Sequence, residues 1–182
     1  ITCRDWSSDV CSSDLGTLHS GEEVVIMPSG HRTLITSIHL GDQPLTTATA
    51  PLSVTITLRD DLDVERGDFI VKPDNLPVRS NQAEAMICWM NPVGMNMQRH
   101  YILRTSTQES KCRIIGCSYK VDVNSLEHIP CTPAFEMNEI GCFSMKTARP
   151  LVYDSYATNR STGSFILIDE ATNETVGVGM IL

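Results

Sequence analysis

The sequence predicts an all-β protein built from two consecutive small β-barrels. Residues 53–59 alternate strictly: Val54, Ile56 and Leu58 are apolar and the residues between them are polar, as in a strand buried on one face. Turn signals rich in Gly, Pro and Asp separate such segments about every eight to twelve residues, a spacing typical of barrels and sandwiches. The 3.6-residue apolar period of helices is almost absent.

The first fifteen residues are excluded from this prediction. Residues 1–15 are crowded with Ser and Asp, show neither apolar period, and lack the basic start and apolar run of a secretory leader. Residues 5–15 match one reading frame of a common short-read sequencing adapter. We expect residues 1–15 to be a non-native, disordered segment. Without them 167 residues remain, with a net charge of −6 instead of −8 and five cysteines instead of seven.

The first predicted module covers residues 16–78. Residues 23–27 and 32–40 are expected to be strands joined by the Pro-Ser-Gly turn at residues 28–30. Residues 53–59 form the clearest strand. An Arg-Gly-Asp turn at residues 66–68 precedes a further strand at residues 69–71.

The second predicted module covers residues 79–182. Residues 72–81 contain two prolines and a polar cluster, which is typical of a boundary between domains. Beyond that boundary, alternating or β-branched segments predict five more strands, at residues 85–90, 101–103, 112–123, 163–168 and 175–182.

Composition excludes several classes of function. The chain of 182 residues has a pI near 5.0 and no run of Lys and Arg, which argues against a general nucleic-acid binder. No apolar stretch approaches the roughly 20 residues that cross a bilayer. The sequence contains no Gly-x-x-x-x-Gly-Lys-Ser/Thr loop, and Gly177-x-Gly179 is interpreted as a strand bend. We therefore expect no catalytic, nucleotide-binding or metal-binding residue, and spacing alone indicates two binding modules.

The remaining cysteines are expected to be reduced thiols of a cytoplasmic protein. They are an odd set without a leader, namely Cys88, Cys112, Cys117, Cys131 and Cys142. Cys112 and Cys117 fall on opposite faces of a regular strand, which favours small buried side chains over a zinc site. The acidic string at residues 60–68 lacks the glycine and terminal Glu of a calcium loop, so a solvated turn is the simpler interpretation.

A resemblance to a known protein family gives information about function that residue spacing alone does not give. The carrying segments are Pro-Ser-Gly at 28–30, Val-Asp-Val-Asn at 121–124, Asn-Glu-Ile-Gly at 138–141, Asn-Arg-Ser-Thr-Gly-Ser-Phe-Ile-Leu-Ile-Asp at 159–169, and Thr-Val-Gly-Val-Gly-Met-Ile at 175–181. With these segments the chain from residue 16 onward resembles the large, GTP-binding subunit of bacterial sulfate adenylyltransferase.

The resemblance implies a translation-factor architecture. An N-terminal GTPase domain is followed by two barrels like domains 2 and 3 of elongation factor Tu, and only the barrels are represented here, the first without its opening strand. It implies a heterodimer with the small catalytic subunit, which makes adenylylsulfate and pyrophosphate from ATP and sulfate while GTP is hydrolysed. GTP and magnesium would bind to the missing GTPase domain, and the barrels would also contact that domain. Neither a membrane nor a nucleic acid is expected as a partner.

The resemblance also suggests contact residues, which are polar residues in the family-like turns. Candidates for interdomain or partner contact are Arg66, Asp68, Asn138, Glu139 and Arg160. A turn-stabilising pair is the alternative for Arg66 and Asp68, and capping of a bend is the alternative for Asn138 and Glu139. Trp89 is expected to be core. The alternative function is a translation-factor module that contacts tRNA or the ribosome, and the isolated fragment is expected to be inactive.

Overall fold

The computed structural model describes residues 16–132 and 135–182, together with the backbone of Thr2–Cys3 and Cys11–Ser12. The chain divides into two compact units, Ile1–Pro77 and Val78–Leu182. The division lies one residue before the predicted module boundary. Most of the opening block lies outside the described residues, so its non-native origin and disorder stay predictions.

The first unit contains short antiparallel strands. They are β1 (Thr2–Cys3), β2 (Cys11–Ser12), β3 (Thr17–His19), β4 (Glu23–Met27), β5 (His31–Leu40), β6 (Gln43–Leu45), β7 (Thr47–Thr49), β8 (Ser53–Leu58) and β9 (Phe69–Val71). A sheet runs in the order β9-β4-β5-β8, and β6 also pairs with β5. β1 pairs with β9, β2 pairs with β8, and β1 and β2 pair with each other. The β4–β5 turn is closed by the Gly30 amide, which donates to the Ile26 carbonyl at 2.7 Å with Gly30 at φ +81°.

The alternation read from residues 53–59 is confirmed in the core of this unit. Val54 and Ile56 are buried among Val24, Ile26 and Ile35, while Ser53 and Thr57 are exposed. Burial of one strand face supplies most of the stability that such a small sheet can have.

The second unit is a closed barrel. Its elements are β10 (Val78–Trp89), β11 (Tyr101–Arg104), β12 (Glu109–Val121), β13 (His128–Ile129), β14 (Ile140–Tyr153), α1 (Arg160–Gly163), β15 (Ser164–Asp169) and β16 (Thr175–Ile181). Six strands follow the order β11-β15-β16-β10-β14-β12, and β12 pairs again with β11 to close the ring. The all-β prediction is confirmed, because α1 is the one helix among the described residues.

Aromatic side chains fill the barrel. Trp89, predicted to be core, is 2% exposed and meets Tyr101 edge to face at 5.6 Å between ring centroids. Phe135 and Phe143 form a second edge-to-face pair at 4.8 Å. Such pairs add about 0.5–1.5 kcal/mol beyond the area that they bury.

Residues 78–81 correct the predicted linker. The polar cluster predicts a domain boundary over the whole of residues 72–81, yet β10 already begins at Val78. Val78, Arg79 and Ser80 pair with the end of β14, at Tyr153, Val152 and Leu151. Ladder pairing therefore extends the strand through polar residues whose local pattern indicates a loop.

The cysteines require two corrections. β12 is irregular between Ile114 and Gly116 and between Cys117 and Tyr119, so the register shifts and Cys112 and Cys117 both contact the same core. The expected opposite-face placement is wrong for this reason. Cys117 and Cys131 form a disulfide, so the prediction that all five are reduced is also wrong.

Among the described residues, we find no helix whose length and apolar character would let it cross a membrane.

Replacing Gly179 by alanine is expected to destabilise the barrel by about 1–3 kcal/mol, the usual cost of overpacking a core. A Cβ at Gly179 would lie 2.2 Å from Cζ of the buried Phe165 ring. Urea unfolding measures the difference. The matched control is Gly116→Ala in β12, where nothing lies within 4 Å of the added carbon. Equal stability of the two variants would contradict the close approach of β16 to Phe165.

Candidate functional site

The predicted contact residues of the first unit lie at a tight turn. The Asp68 amide donates to the Glu65 carbonyl at 3.0 Å, and the Asp68 carboxylate accepts from the Glu65 amide at 3.1 Å. Burial, followed by the nearby carboxylates of Glu65 and Asp63, raises the pKa of Asp68. Arg66 is exposed and forms no ion pair with Asp68 in the described structure. Asp68 thus stabilises the turn through the backbone, and the alternative of an Arg66–Asp68 pair does not describe the geometry of this turn.

The acidic string around this turn does not assemble a cation site. The Asp60 carboxylate accepts from the Thr33 hydroxyl at 2.8 Å and from Arg59 at 3.1 Å. Within residues 16–132 and 135–182, no three His, Cys, Asp or Glu side chains lie close enough to hold a metal ion.

Asn138 and Glu139 lie where the chain turns into β14. Asn138 adopts a left-handed conformation, φ +67°, which Asn tolerates better than most residues. Its amide donates to the Trp89 carbonyl at 2.7 Å, and the Trp89 amide donates to the Glu139 carbonyl at 3.0 Å. The Glu139 carboxylate accepts from the Glu136 amide at 2.6 Å. The capping alternative therefore describes the geometry of this bend.

Glu139 also neutralises a buried lysine that sequence reasoning missed. The Lys120 side chain is 8% exposed, and its ammonium group bonds the Glu139 carboxylate and, at 3.1 Å, the Thr132 hydroxyl. It also lies 5.2 Å from the Phe135 ring centroid. Burial alone would raise the pKa of Glu139, but the bonds from Lys120 and the Glu136 amide outweigh burial and hold that pKa below its ordinary value.

The polar segment at residues 159–163 forms hydrogen bonds that hold the connection between β14 and β15 in place. The Asn159 side chain caps α1 by accepting from the amides of Ser161 and Thr162 at 3.0 and 3.4 Å. The Thr162 hydroxyl donates to the Asp154 carboxylate at 2.8 Å. Gly163 is required here, because a Cβ would come within 2.5 Å of the Tyr156 backbone.

Arg160 is an exposed residue of that segment. Its guanidinium lies 5.9 Å from the Tyr156 ring centroid, at the edge of a groove of about 650 Å³ on the outside of the barrel. The groove lies over β10, β15 and β16, and its apolar lining includes Met86, Cys88, Ile140, Ile166, Val178 and Met180. The signal in the sequence was the presence of apolar residues on both faces of β16, where alternation alone expects polar ones outside.

The five predicted contact residues do not form one site. Arg66 and Asp68 belong to the first unit and the other three to the second. Within the second unit, Glu139 is joined to Lys120, whereas Arg160 contacts Tyr156. These residues therefore lie at exposed surfaces and at hydrogen-bonded turns in separate places.

Comparison with known proteins agrees with this architecture. A family model described as GTP-eEF1A C-terminal domain-like matches residues 82–182. A crystal structure of Sup35 complexed with GDP superimposes with a TM-score of 0.80 at 18% identity, covering 92% of this chain and 41% of that one. This likeness to a solved structure concerns the fold.

Curated relatives are more similar in sequence. The protein of Bacteroides fragilis (strain YCH46) named sulfate adenylyltransferase subunit 1 is 42% identical over 167 residues, covering 92% of this chain and 35% of that protein. The bifunctional enzyme CysN/CysC of Mycobacterium tuberculosis (strain ATCC 25618 / H37Rv) is 40% identical over 181 residues, 98% of this chain and 29% of that protein. The chain thus spans about a third of the length of these relatives.

Acidification is expected to remove the stabilisation that Glu139 provides. Because its folded pKa lies below the ordinary 4.5, this contribution is fully present above that pH and is lost as the pH falls through the folded value. The unfolding free energy of Glu139→Gln should therefore decrease less than that of the unchanged protein between about pH 6 and about pH 3. Urea titrations at each pH provide the measurement.

The matched control is Glu136→Gln, which removes the same charge from an exposed neighbouring side chain. It should follow the pH dependence of the unchanged protein. If Glu139→Gln also followed it, the Lys120–Glu139 pair would not couple protonation to stability.

Proposed function

Because the chain belongs to the GTP-eEF1A C-terminal domain-like family, we propose that its two β units are the barrel part of a GTP-hydrolysing regulatory subunit of sulfate adenylyltransferase. That enzyme converts ATP and sulfate into adenylylsulfate and pyrophosphate. The observation that carries the proposal is the 42% identity, over 167 residues, to a protein named sulfate adenylyltransferase subunit 1.

The role of these residues in the proposed enzyme is mechanical. A nucleotide-driven cycle shifts an equilibrium only by the free energy that it transmits between states, and packed barrels move as rigid bodies in such transitions. The closed ring and aromatic core of the second unit support this role. The residues here do not fit a GTP–magnesium site, since the sequence has no phosphate loop and the described side chains form no metal-binding cluster. We assign the nucleotide chemistry to other parts of the enzyme.

The proposed partner is the small catalytic subunit, in a heterodimer located in the cytoplasm. The name "subunit 1" of the relative supports the existence of a second subunit. Among the predicted contact residues, Arg66, Asn138 and Arg160 are exposed. The two arginines, whose long charged side chains reach furthest, remain our candidates for direct contact. Asp68, Asn138 and Glu139 would act by shaping the turns that carry such contacts, given their bonds to backbone and to Lys120.

Copurification tests the proposal. The tagged 182-residue chain, coexpressed with the small subunit of sulfate adenylyltransferase, is expected to retain that subunit and to hydrolyse GTP no faster than a blank. Arg160→Ala is expected to weaken retention about five- to tenfold, as loss of one contact arginine does. Arg113→Ala, an exposed arginine that bonds Gln98 at 3.3 Å, is the matched control.

Two results would overturn the proposal. GTP hydrolysis by the chain alone would show that these units contain a nucleotide site. Salt-sensitive retention of tRNA without retention of the small subunit would instead favour a translation-factor module, because phosphate contacts weaken steeply with salt.

A further inference from the structure

The Cys117–Cys131 disulfide closes the base of the β12–β13 hairpin. The two Cα atoms lie 6.1 Å apart, and the residues are separated by 14 positions in sequence. Cys117 lies within β12, and Cys131 follows β13. The bond therefore closes a loop that contains the whole hairpin tip.

Short-range contacts hold this hairpin, including the Asp122 amide, which donates to the Glu127 carbonyl at 3.0 Å, and the Leu126 amide, which donates to the Asp122 carbonyl at 2.7 Å. Its ladder consists of two residue pairs, Lys120 with Ile129 and Val121 with His128. The Tyr119 and His128 rings stack at 3.8 Å between centroids. At the tip, Leu126 is 74% exposed with φ +60°. The β12 side of this hairpin is held by β14 as far as Val121. A two-stranded ribbon as short as the part beyond it is marginal in water, so the covalent bond at its base adds to the order of residues 122–132.

The same bond constrains the segment that returns to the barrel. Immediately after Cys131, Thr132 accepts a hydrogen bond from the Lys120 ammonium group. Phe135 is 1% exposed and packs in the barrel core against Phe143. The disulfide thus lies between the exposed hairpin tip and the buried side chain of Phe135.

Burial separates this pair from Cys112 and Cys142. Cys117 and Cys131 are partly exposed, whereas Cys112 and Cys142 are buried. Burial raises the pKa of Cys112 to about 12, so that thiol forms almost no thiolate at neutral pH. Only a thiolate attacks a disulfide. Cys88 is partly exposed but has no disulfide partner among the described residues, and serves as an internal reference.

We propose that Cys117 and Cys131 form a reversible redox site that exchanges with small-molecule thiols and disulfides, and that its oxidation orders residues 122–132. With glutathione disulfide as oxidant, one cysteine thiolate attacks the glutathione disulfide, forms a mixed disulfide and releases one glutathione thiolate. The second cysteine then attacks the mixed disulfide. The protein S–S bond forms, the glutathione S–S bond breaks, two electrons pass to glutathione, and the two thiol protons end on its two released thiols.

The test equilibrates the complete 182-residue chain in buffers of varied reduced-to-oxidised glutathione ratio. Acid quenching, alkylation and peptide mass spectrometry then measure the Cys117–Cys131 peptide. Its fraction is expected to rise and fall reversibly with the ratio, while Cys88, Cys112 and Cys142 remain free of internal disulfides. Absence of this peptide at every ratio, or a bond that native protein never opens, would overturn the proposal.

Hydrogen exchange of the same samples tests the structural consequence. Reduction is expected to accelerate exchange of amides in residues 122–132 by about tenfold or more, and to leave β15 and β16 unchanged. Cys117→Ser/Cys131→Ser should exchange like the reduced protein at every ratio, and Cys88→Ser should respond like the unchanged chain. If the bond formed without altering exchange, ordering by oxidation would be refuted, and this comparison needs no variant.

Discussion

The pairing of β11 with β12 is the constraint on which the second unit depends. It closes six strands into a ring, so no strand among those six keeps a free edge and every strand must turn one face inward. Trp89, Tyr101 and Phe143 fill that interior. Gly179 follows from the same constraint, because β16 passes close to Phe165 and leaves no room for a side chain. The bulges in β12 keep Cys112 and Cys117 on the core side of a strand that curves around the ring.

Closure of the ring also explains why the polar motifs of the second unit stabilise its connections. Each connection between ring strands leaves backbone groups that need partners, and short polar side chains supply them. Asn159 caps the corner before β15, Asn138 adopts the left-handed turn before β14, and Asp169 accepts from two amides after β15. Lys120 and Glu139 neutralise one another at the bend that begins β14. The outer surface, including the groove beside Tyr156, is where we propose that the barrel meets a partner.

The features that the sequence predicted correctly are those that depend on a local residue pattern. Alternation located β8 with Val54 and Ile56 in the core, and the Pro-Ser-Gly turn located the β4–β5 hairpin. It did not find what depends on distant pairing. β10 extends to Val78 because β14 lies beside it, and α1 is a four-residue turn too short for a helical period. Burial of Lys120 and pairing of Cys117 with Cys131 depend on register shifts in β12 and on the return of the hairpin, which no local spacing encodes.

Native-state hydrogen exchange of β11 tests the closed ring most directly. Alternate amides of an antiparallel strand bond to opposite neighbours, so residues 101–104 report on the pairings with both β12 and β15. A closed ring predicts that these amides exchange only when the whole unit unfolds, with opening free energies within about 0.5 kcal/mol of those at Phe143 and Met145 in β14. Fast local exchange of β11 beside a protected β14 would show an open sheet with a frayed edge and would contradict the account.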